Sequence, residues 1–145
     1  MKNDTYILIA DAAQARLFAA QRLAEPWRLV RVFAHPRSAA KAVDLVADRP
    51  GRVRQSADGR RSAMEPHMTP HDVEAEHFAR ELADALEKAQ GEYQQLVLVA
   101  APRFLGSLRR CLSDAVRATL TTSIDLNWTD VAARELPARL ASARS

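Results

Sequence analysis

Arginine is the side chain that most clearly suggests a binding chemistry in this sequence. Between residues 36 and 66 lie seven basic residues and four acidic ones, a net charge of +3 that equals the formal net charge of the whole 145-residue chain. A local basic excess on a loop is the feature that a polyanion recognises. The arginines predicted to bind a polyanion are Arg49, Arg52, Arg54, Arg60 and Arg61.

The basic segment has a second interpretation, and so do three arginines later in the chain. Its charges could simply keep a solvated loop soluble. Arg103, Arg109 and Arg110 either extend the basic surface or form the wet face of a helix. Residues 49–61 contain no aromatic side chain for base stacking, so any RNA contact is expected to involve the phosphate backbone.

Histidines and acids gather around residue 70. Glu74 and His77 are spaced i,i+3, which can place two metal ligands on one helix face. The candidate metal ligands are His67, His71, Glu74 and His77. Acidic residues also favour a helix N-terminus for electrostatic reasons, and a polar cap with exposed histidines is the preferred interpretation. We therefore expect no metal and no cofactor.

Catalytic constellations are otherwise weak. Two-metal hydrolysis needs several carboxylates. Asp11 follows one apolar strand, but the strand at 96–101 ends in Ala-Ala before Pro102 and supplies no acid. Asp11 is better explained as a turn residue that binds its own backbone, and Cys111 as a buried structural cysteine on an apolar helix stripe. The protein is expected not to be an enzyme, with a metal-dependent hydrolase as the third alternative.

The elements that would position these residues alternate along a single domain, 1–145. Short β-rich runs predict strands at 5–10, 15–21 and 27–35, joined as an antiparallel meander. The apolar run at 96–101 predicts a strand covered on both faces, and the alternation at 124–128 predicts a half-exposed strand. Helical spacing predicts helices at about 70–89, 104–120 and 130–141, the last interrupted at Pro137.

The start of the first helix is marked by its capping residues. Thr69 is an N-cap, Pro70 occupies the first helical position, and Asp72 is placed for a capping box. The whole chain then reads β-β-β-α-β-α-β-α, the order of an α/β ribonuclease H-like fold with a mixed five-stranded sheet. The basic loop at 36–68 is far longer than a usual connection, and such loops are usually functional or disordered.

Composition predicts a cytoplasmic protein. One cysteine permits no intrachain disulfide, which fits a reducing compartment. No stretch approaches the roughly 20 apolar residues of a membrane helix, and the apolar run at 6–10 is too short for a signal peptide. No membrane association is expected.

Five runs resemble the bacterial family described as "protein required for attachment to host cells". They are HPR at 35–37, DLVADRPGR at 44–52, MEPH at 64–67, EAEHFAREL at 74–82 and LVAAPRFLG at 98–106. The resemblance covers nearly the whole chain. It implies a part in association with a host, which for a cytoplasmic protein would be indirect.

The element order is also similar to the middle domain of archaeo-eukaryotic release factors and Pelota. In release factors the corresponding loop carries a Gly-Gly-Gln tip that enters the peptidyl-transferase centre. This chain has Gln55-Ser56-Ala57-Asp58-Gly59 there, so peptide release is not expected.

Two functions follow from these features. The first is a non-enzymatic module whose basic loop contacts the ribosome, RNA or another polyanion. The alternative is a protein-interaction or regulatory module whose loop orders on a protein partner or on a second copy. The half-exposed strands leave room for a homodimer.

Overall fold

A computed structural model describes residues 4–34 and 69–144. The mixed α/β architecture and the five-stranded mixed sheet predicted from the sequence are confirmed. The strands are β1 (Thr5–Ala10), β2 (Gln14–Ala20), β3 (Arg28–Ala34), β4 (Gln95–Ala100) and β5 (Leu120–Ile124). The helices are α1 (Pro70–Lys88), α2 (Pro102–Cys111), α3 (Asp114–Arg117) and α4 (Leu136–Arg144), with a 3-10 turn at Ala133–Glu135.

The sheet is built around β1, with strand order β3-β2-β1-β4-β5. β1 pairs antiparallel with β2 and parallel with β4, and β4 pairs parallel with β5. Every residue of β1 is buried, and so is every residue of β4 after Gln95. Continuous apolar strands of this kind occupy the centre of a sheet whose two faces are both covered.

Each face of the sheet has its own core. On one face, α1 and α2 pack through Phe78, Leu82 and Leu108 against alternate residues of the central strands. On the other face, Leu136 and Leu140 of α4 pack with residues of the opposite parity, including Ile7 and Ile9. Side chains of a strand alternate between faces, so a single apolar strand contributes to both cores.

The predicted start of α1 is confirmed. The Thr69 hydroxyl accepts a hydrogen bond from the Asp72 backbone N–H at 3.0 Å, and the Asp72 carboxylate accepts one from the Thr69 N–H at 3.2 Å. This reciprocal capping box satisfies two backbone donors that a helix would otherwise leave free. The i,i+4 ion pairs Glu76–Arg80 and Asp84–Lys88 form further along the same helix, at 3.5 and 3.1 Å.

The predicted single helix at 104–120 is two helices. α2 ends at Cys111 because Leu112 adopts an extended backbone conformation (φ −71°, ψ 142°). Ser113 then caps α3, its hydroxyl accepting a hydrogen bond from the Val116 N–H at 3.2 Å. Apolar periodicity continues across the break, and the N-cap residue Ser113 is the local signal that marks it.

The last strand and helix also differ from prediction. The strand predicted at 124–128 lies earlier, at β5, where Leu96 and Val99 of β4 pair with Leu120 and Ile124. Pro137 does not interrupt the final helix. It lies in the first turn of α4, where the missing N–H needs no partner.

Within the described part of the chain, no helix is long and apolar enough to cross a membrane.

Candidate functional site

A cleft of about 470 Å³ opens at the end of the sheet where β1 and β4 terminate. α1 forms one wall with its first two turns, and α2 forms the other. The carboxyl ends of parallel strands are the usual place for ligand sites in open α/β sheets. The polar side chains that line the cleft are Asp11, His71, Asp72, Glu76, Arg103, Ser107 and Arg110.

Asp11 stabilises the turn after β1. One carboxylate oxygen accepts hydrogen bonds from the backbone N–H groups of Ala13 and Gln14, at 2.8 and 2.9 Å. The other accepts a hydrogen bond from the Thr129 hydroxyl at 2.9 Å. The predicted role of Asp11 as a turn residue is confirmed, and both of its oxygens are engaged by protein groups.

Arg16 holds Thr129 in place. Its Nη2 lies 3.1, 3.1 and 2.9 Å from the carbonyl oxygens of Trp128, Thr129 and Val131. A guanidinium can serve several acceptors because it carries donors only. Arg16 thereby joins β2 to the segment before α4, and that segment carries the hydroxyl that contacts Asp11.

Two ion pairs connect the walls of the cleft. Arg103 lies 3.3 Å from Asp72, and Arg110 lies 3.3 Å from Glu76. The hydrogen bond from the Thr69 backbone N–H lowers the pKa of Asp72, and the nearby charge of Arg103 lowers it further. The arginine side chains are 85% and 68% exposed, so water screens both pairs and their guanidinium groups can exchange partners.

Asp72 is the site of a prediction on acid stability. Because its folded pKa lies below the unfolded value of about 3.9, it contributes stability above that pH, which is lost as pH falls through the folded pKa. Asp72→Asn is expected to cost about 1 kcal/mol at pH 7, and less at pH 3. Urea unfolding at both pH values measures this. The control Asp84→Asn, on the exposed side of α1, should cost less than about 0.5 kcal/mol; an equal loss at both pH values would contradict the assignment.

Four arginines lie on α2 and α3. We call Arg103, Arg109, Arg110 and Arg117 the arginine surface; the stretch that holds them, 102–118, has Asp114 as its one acidic residue. Three of the four line a second, shallower groove beside α2. Arg117 Nη2 donates to the Arg109 carbonyl at 2.8 Å, which fixes the Arg117 side chain against the end of α2.

The predicted polyanion-binding residues Arg49, Arg52, Arg54, Arg60 and Arg61 lie outside the described residues. The two points where that segment joins the described chain are nevertheless informative. Ala34, its last preceding residue, pairs with Gln14 just after the Asp11 turn. Thr69, the first residue after it, caps α1 beside the cleft. Ala34 and Thr69 therefore both lie at the cleft end of the sheet.

Three of the four candidate metal ligands are described. His71 lines the cleft, whereas Glu74 is buried and the 52% exposed His77 has its Nδ1 3.9 Å from Glu74 Oε1. In ranges 4–34 and 69–144, no three histidine, cysteine or acidic side chains form a group that could hold a metal. His67 lies outside those ranges, so the four-residue set stays an untested alternative to the expectation of no metal.

Cys111 packs against the core but is only half-buried, less than the sequence predicts. Tyr6 lies at the start of β1 and Tyr93 precedes the start of β4, whereas the cleft lies where both strands end. Burial and a hydrogen bond to Glu92 raise the pKa of Tyr6 to about 12, and its ring stacks on Tyr93 at 4.7 Å. The raised pKa of Tyr6 therefore follows from its place in the core and does not mark a catalytic centre.

Two features of the arginine surface and the cleft were not predicted from the sequence. Arg117 follows the break between α2 and α3, so a single predicted helix misplaces its side chain relative to Arg109. The Arg16–Thr129–Asp11 connection joins residues more than 100 positions apart, at 2.9 to 3.1 Å. No local pattern announces such contacts, although Ser113 does announce the helix break.

The fold and the site define a mixed α/β domain with a cleft at the strand ends and four arginines on α2 and α3. The chain belongs to the family described as "Protein required for attachment to host cells", whose model matches residues 6–140. It is similar to "Uncharacterized protein RP470" of Rickettsia prowazekii (strain Madrid E), with 33% identity over 67 residues. That match covers 43% of this chain and 45% of the relative, so the chain spans less than half the length of that relative.

Proposed function

We propose that this protein is a non-enzymatic cytoplasmic binding module that contacts a polyanion, with ribosomal RNA as the expected target. The observation that carries the proposal is the arginine surface, which runs from Arg103 at the cleft to Arg117 near the start of β5. In the sequence, the arginine-rich segment 36–66 lies between Ala34 and Thr69, and both of these residues lie at the cleft end. Two basic stretches, each with a net charge of +3, would then act on one ligand. An effect on host attachment would be indirect.

Charge geometry supports a phosphate ligand. Arg109 and Arg117 are exposed, and the groove they share with Arg110 has no acidic residue in its lining. Arg103 and Arg110 have carboxylate partners, but exposed ion pairs contribute little and are readily exchanged for another anion. Guanidinium groups bind phosphate oxygens in pairs, which suits a sugar-phosphate backbone.

The strand order supports a fold proposal as well. A β3-β2-β1-β4-β5 sheet with one antiparallel arm is compatible with a ribonuclease H-like fold and with the release-factor and Pelota middle domain. The relation would be one of ribosome contact without peptide release. Ala57-Asp58 stands where paired glycines would let backbone approach the reacting ester, and an added carboxylate would repel a developing oxyanion.

A salt series on arginine variants tests this function. Arg109→Ala with Arg117→Ala removes two phosphate contacts, so the slope of log affinity against log salt should fall by about 1.5. The binding of a labelled, structured RNA and of ribosomes measures it. Arg22→Ala with Arg134→Ala is the matched control, since it removes the same charge from exposed positions outside the arginine surface. If both double variants lost the same affinity, net charge alone would explain the loss, and the result would contradict the proposed site.

The competing function is a protein-interaction module. The observation that favours it is the exposed apolar edge strand β3, because RNA has no strand backbone or apolar side chains that would pair with such an edge. Affinity purification with and without nuclease separates the two functions, because a partner held through RNA is lost on nuclease treatment. A partner retained after nuclease treatment would favour the protein-interaction module.

A further inference from the structure

The edge strand β3 is apolar where an edge is usually protected. Three of its residues are large exposed hydrophobics: Leu29 at 52%, Val30 at 37% and Val32 at 59% exposure. β3 ends the five-stranded sheet, and no described residue pairs with its outer side. An exposed apolar edge presents free backbone donors and acceptors that can template another strand.

A β-bulge in β3 determines which face of the sheet each side chain of this edge lies on. Arg31 pairs with Leu17 and Leu29 pairs with Phe18, so Val30 is an extra residue between them. Cross-strand partners share a face, which brings Leu29 and Val32 together on the face of Phe18 and α4. Without the bulge, residues three apart would point to opposite faces.

The opposite face of the same edge is basic. Arg28 pairs with Ala19 and Arg31 pairs with Leu17, and both partners belong to the core on the α1 and α2 side. The Arg31 guanidinium lies 4.4 Å from the centre of the Phe33 ring, which holds it in place. Strand Arg28–Ala34 contains no acidic residue, but Asp4 forms an ion pair with Arg28 at 3.3 Å. Arg31 therefore carries the positive charge of this face that the Asp4 pair does not offset.

We propose that the outer edge of β3 binds an extended peptide segment of another protein in which apolar and acidic residues alternate. Such a peptide would add a sixth strand. Its apolar side chains would cover Leu29 and Val32 on one face, and its acidic side chains would lie beside Arg28 and Arg31 on the other. A second copy of β3 fits less well, because an antiparallel pair would bring the arginines of both copies together on one face.

Peptide binding with charge reversal tests the proposal. The probe is a labelled peptide of about eight residues that alternates isoleucine and glutamate, compared with one that alternates isoleucine and lysine. We expect the glutamate peptide to bind at least about tenfold more tightly. Arg31→Glu should reverse that preference. Hydrogen exchange of the β3 amides should slow on binding, while that of the β5 amides should not change.

Apolar variants provide the second arm. Val32→Thr with Leu29→Thr keeps β-compatible side chains and should weaken binding of the glutamate peptide about tenfold. Leu126→Thr, at a 49% exposed leucine outside the sheet, is the control and should leave binding unchanged. A thermal melt of each variant verifies the fold.

Three results would overturn the proposal. They are equal affinity for the two peptides, no binding of either, and a dimer in sedimentation that Val32→Thr dissociates, which would assign the edge to a second copy. None of them requires RNA, so the polyanion function is tested separately.

Discussion

Replacing Arg52, Arg54, Arg60 and Arg61 together with alanine is expected to abolish polyanion binding at physiological salt. Each arginine that neutralises a phosphate releases condensed counterions, so removing four should lower the salt slope by about three. The thermal midpoint should stay within a few degrees, because charges of a predicted solvent-facing loop contribute about 1 kcal/mol or less each. RNA binding and calorimetry of the same samples measure both outcomes.

The quadruple variant has an internal control in the same segment. Arg37→Ala with Lys41→Ala removes two positive charges from the start of the segment, away from the five predicted binding arginines. Binding should then fall only slightly. A collapsed melt in the quadruple variant would contradict the account, because it would make this segment part of the folded core. Unchanged binding would leave the described arginine surface as the sole site.

Phe78→Ala is expected to have the largest effect on stability. The Phe78 side chain is fully buried, with 0% exposure, between α1 and the sheet, and its ring lies 6.0 Å from that of Phe104 on α2. Truncating a buried phenylalanine costs about 3–5 kcal/mol through lost burial and the remaining cavity. For a domain of this size the thermal midpoint should fall by about 10–15 °C.

The same substitution should also affect the cleft. Phe78 and Phe104 hold the two helices whose first turns form the cleft walls, so RNA binding of Phe78→Ala should weaken even at temperatures where the protein stays folded. Val73→Ala on the same helix is the control, since Val73 is 38% exposed and its loss should cost less than about 0.5 kcal/mol. Similar melts for the two variants would contradict the packing of α1 on the sheet.

Much of the fold is predictable because its signals are local. Thr69, Pro70 and Asp72 announce the start of α1, and uninterrupted apolar runs announce the buried strands β1 and β4. The wrong predictions fall where two local signals disagree. Apolar spacing continues through Leu112, but Leu112 is extended and Ser113 caps a new helix. The alternation at 124–128 suggested a strand, but Trp128 packs against α4 from irregular chain.

The candidate site was predicted only in part, for a related reason. Arg103, Arg109 and Arg110 are recognisable as a basic helix face. The cleft itself depends on parallel placement of α1 and α2, and the position of Thr129 depends on contacts of Arg16 with carbonyl groups far along the chain. Such contacts are set by tertiary packing, so no local sequence pattern predicts them. The apolar edge of β3 was likewise not predicted, because Leu29, Val30 and Val32 do not show in the sequence whether a further strand pairs with them.

The affinity of the unmodified protein for structured RNA and for ribosomes, measured from low to physiological salt, tests the central claim most directly. The account predicts that log affinity falls linearly with log salt, with a slope that corresponds to several phosphate contacts. It predicts no preference for base sequence. It also predicts no release of peptide from peptidyl-tRNA on the same ribosomes. No detectable binding at the lowest salt, or robust peptide release, would contradict it.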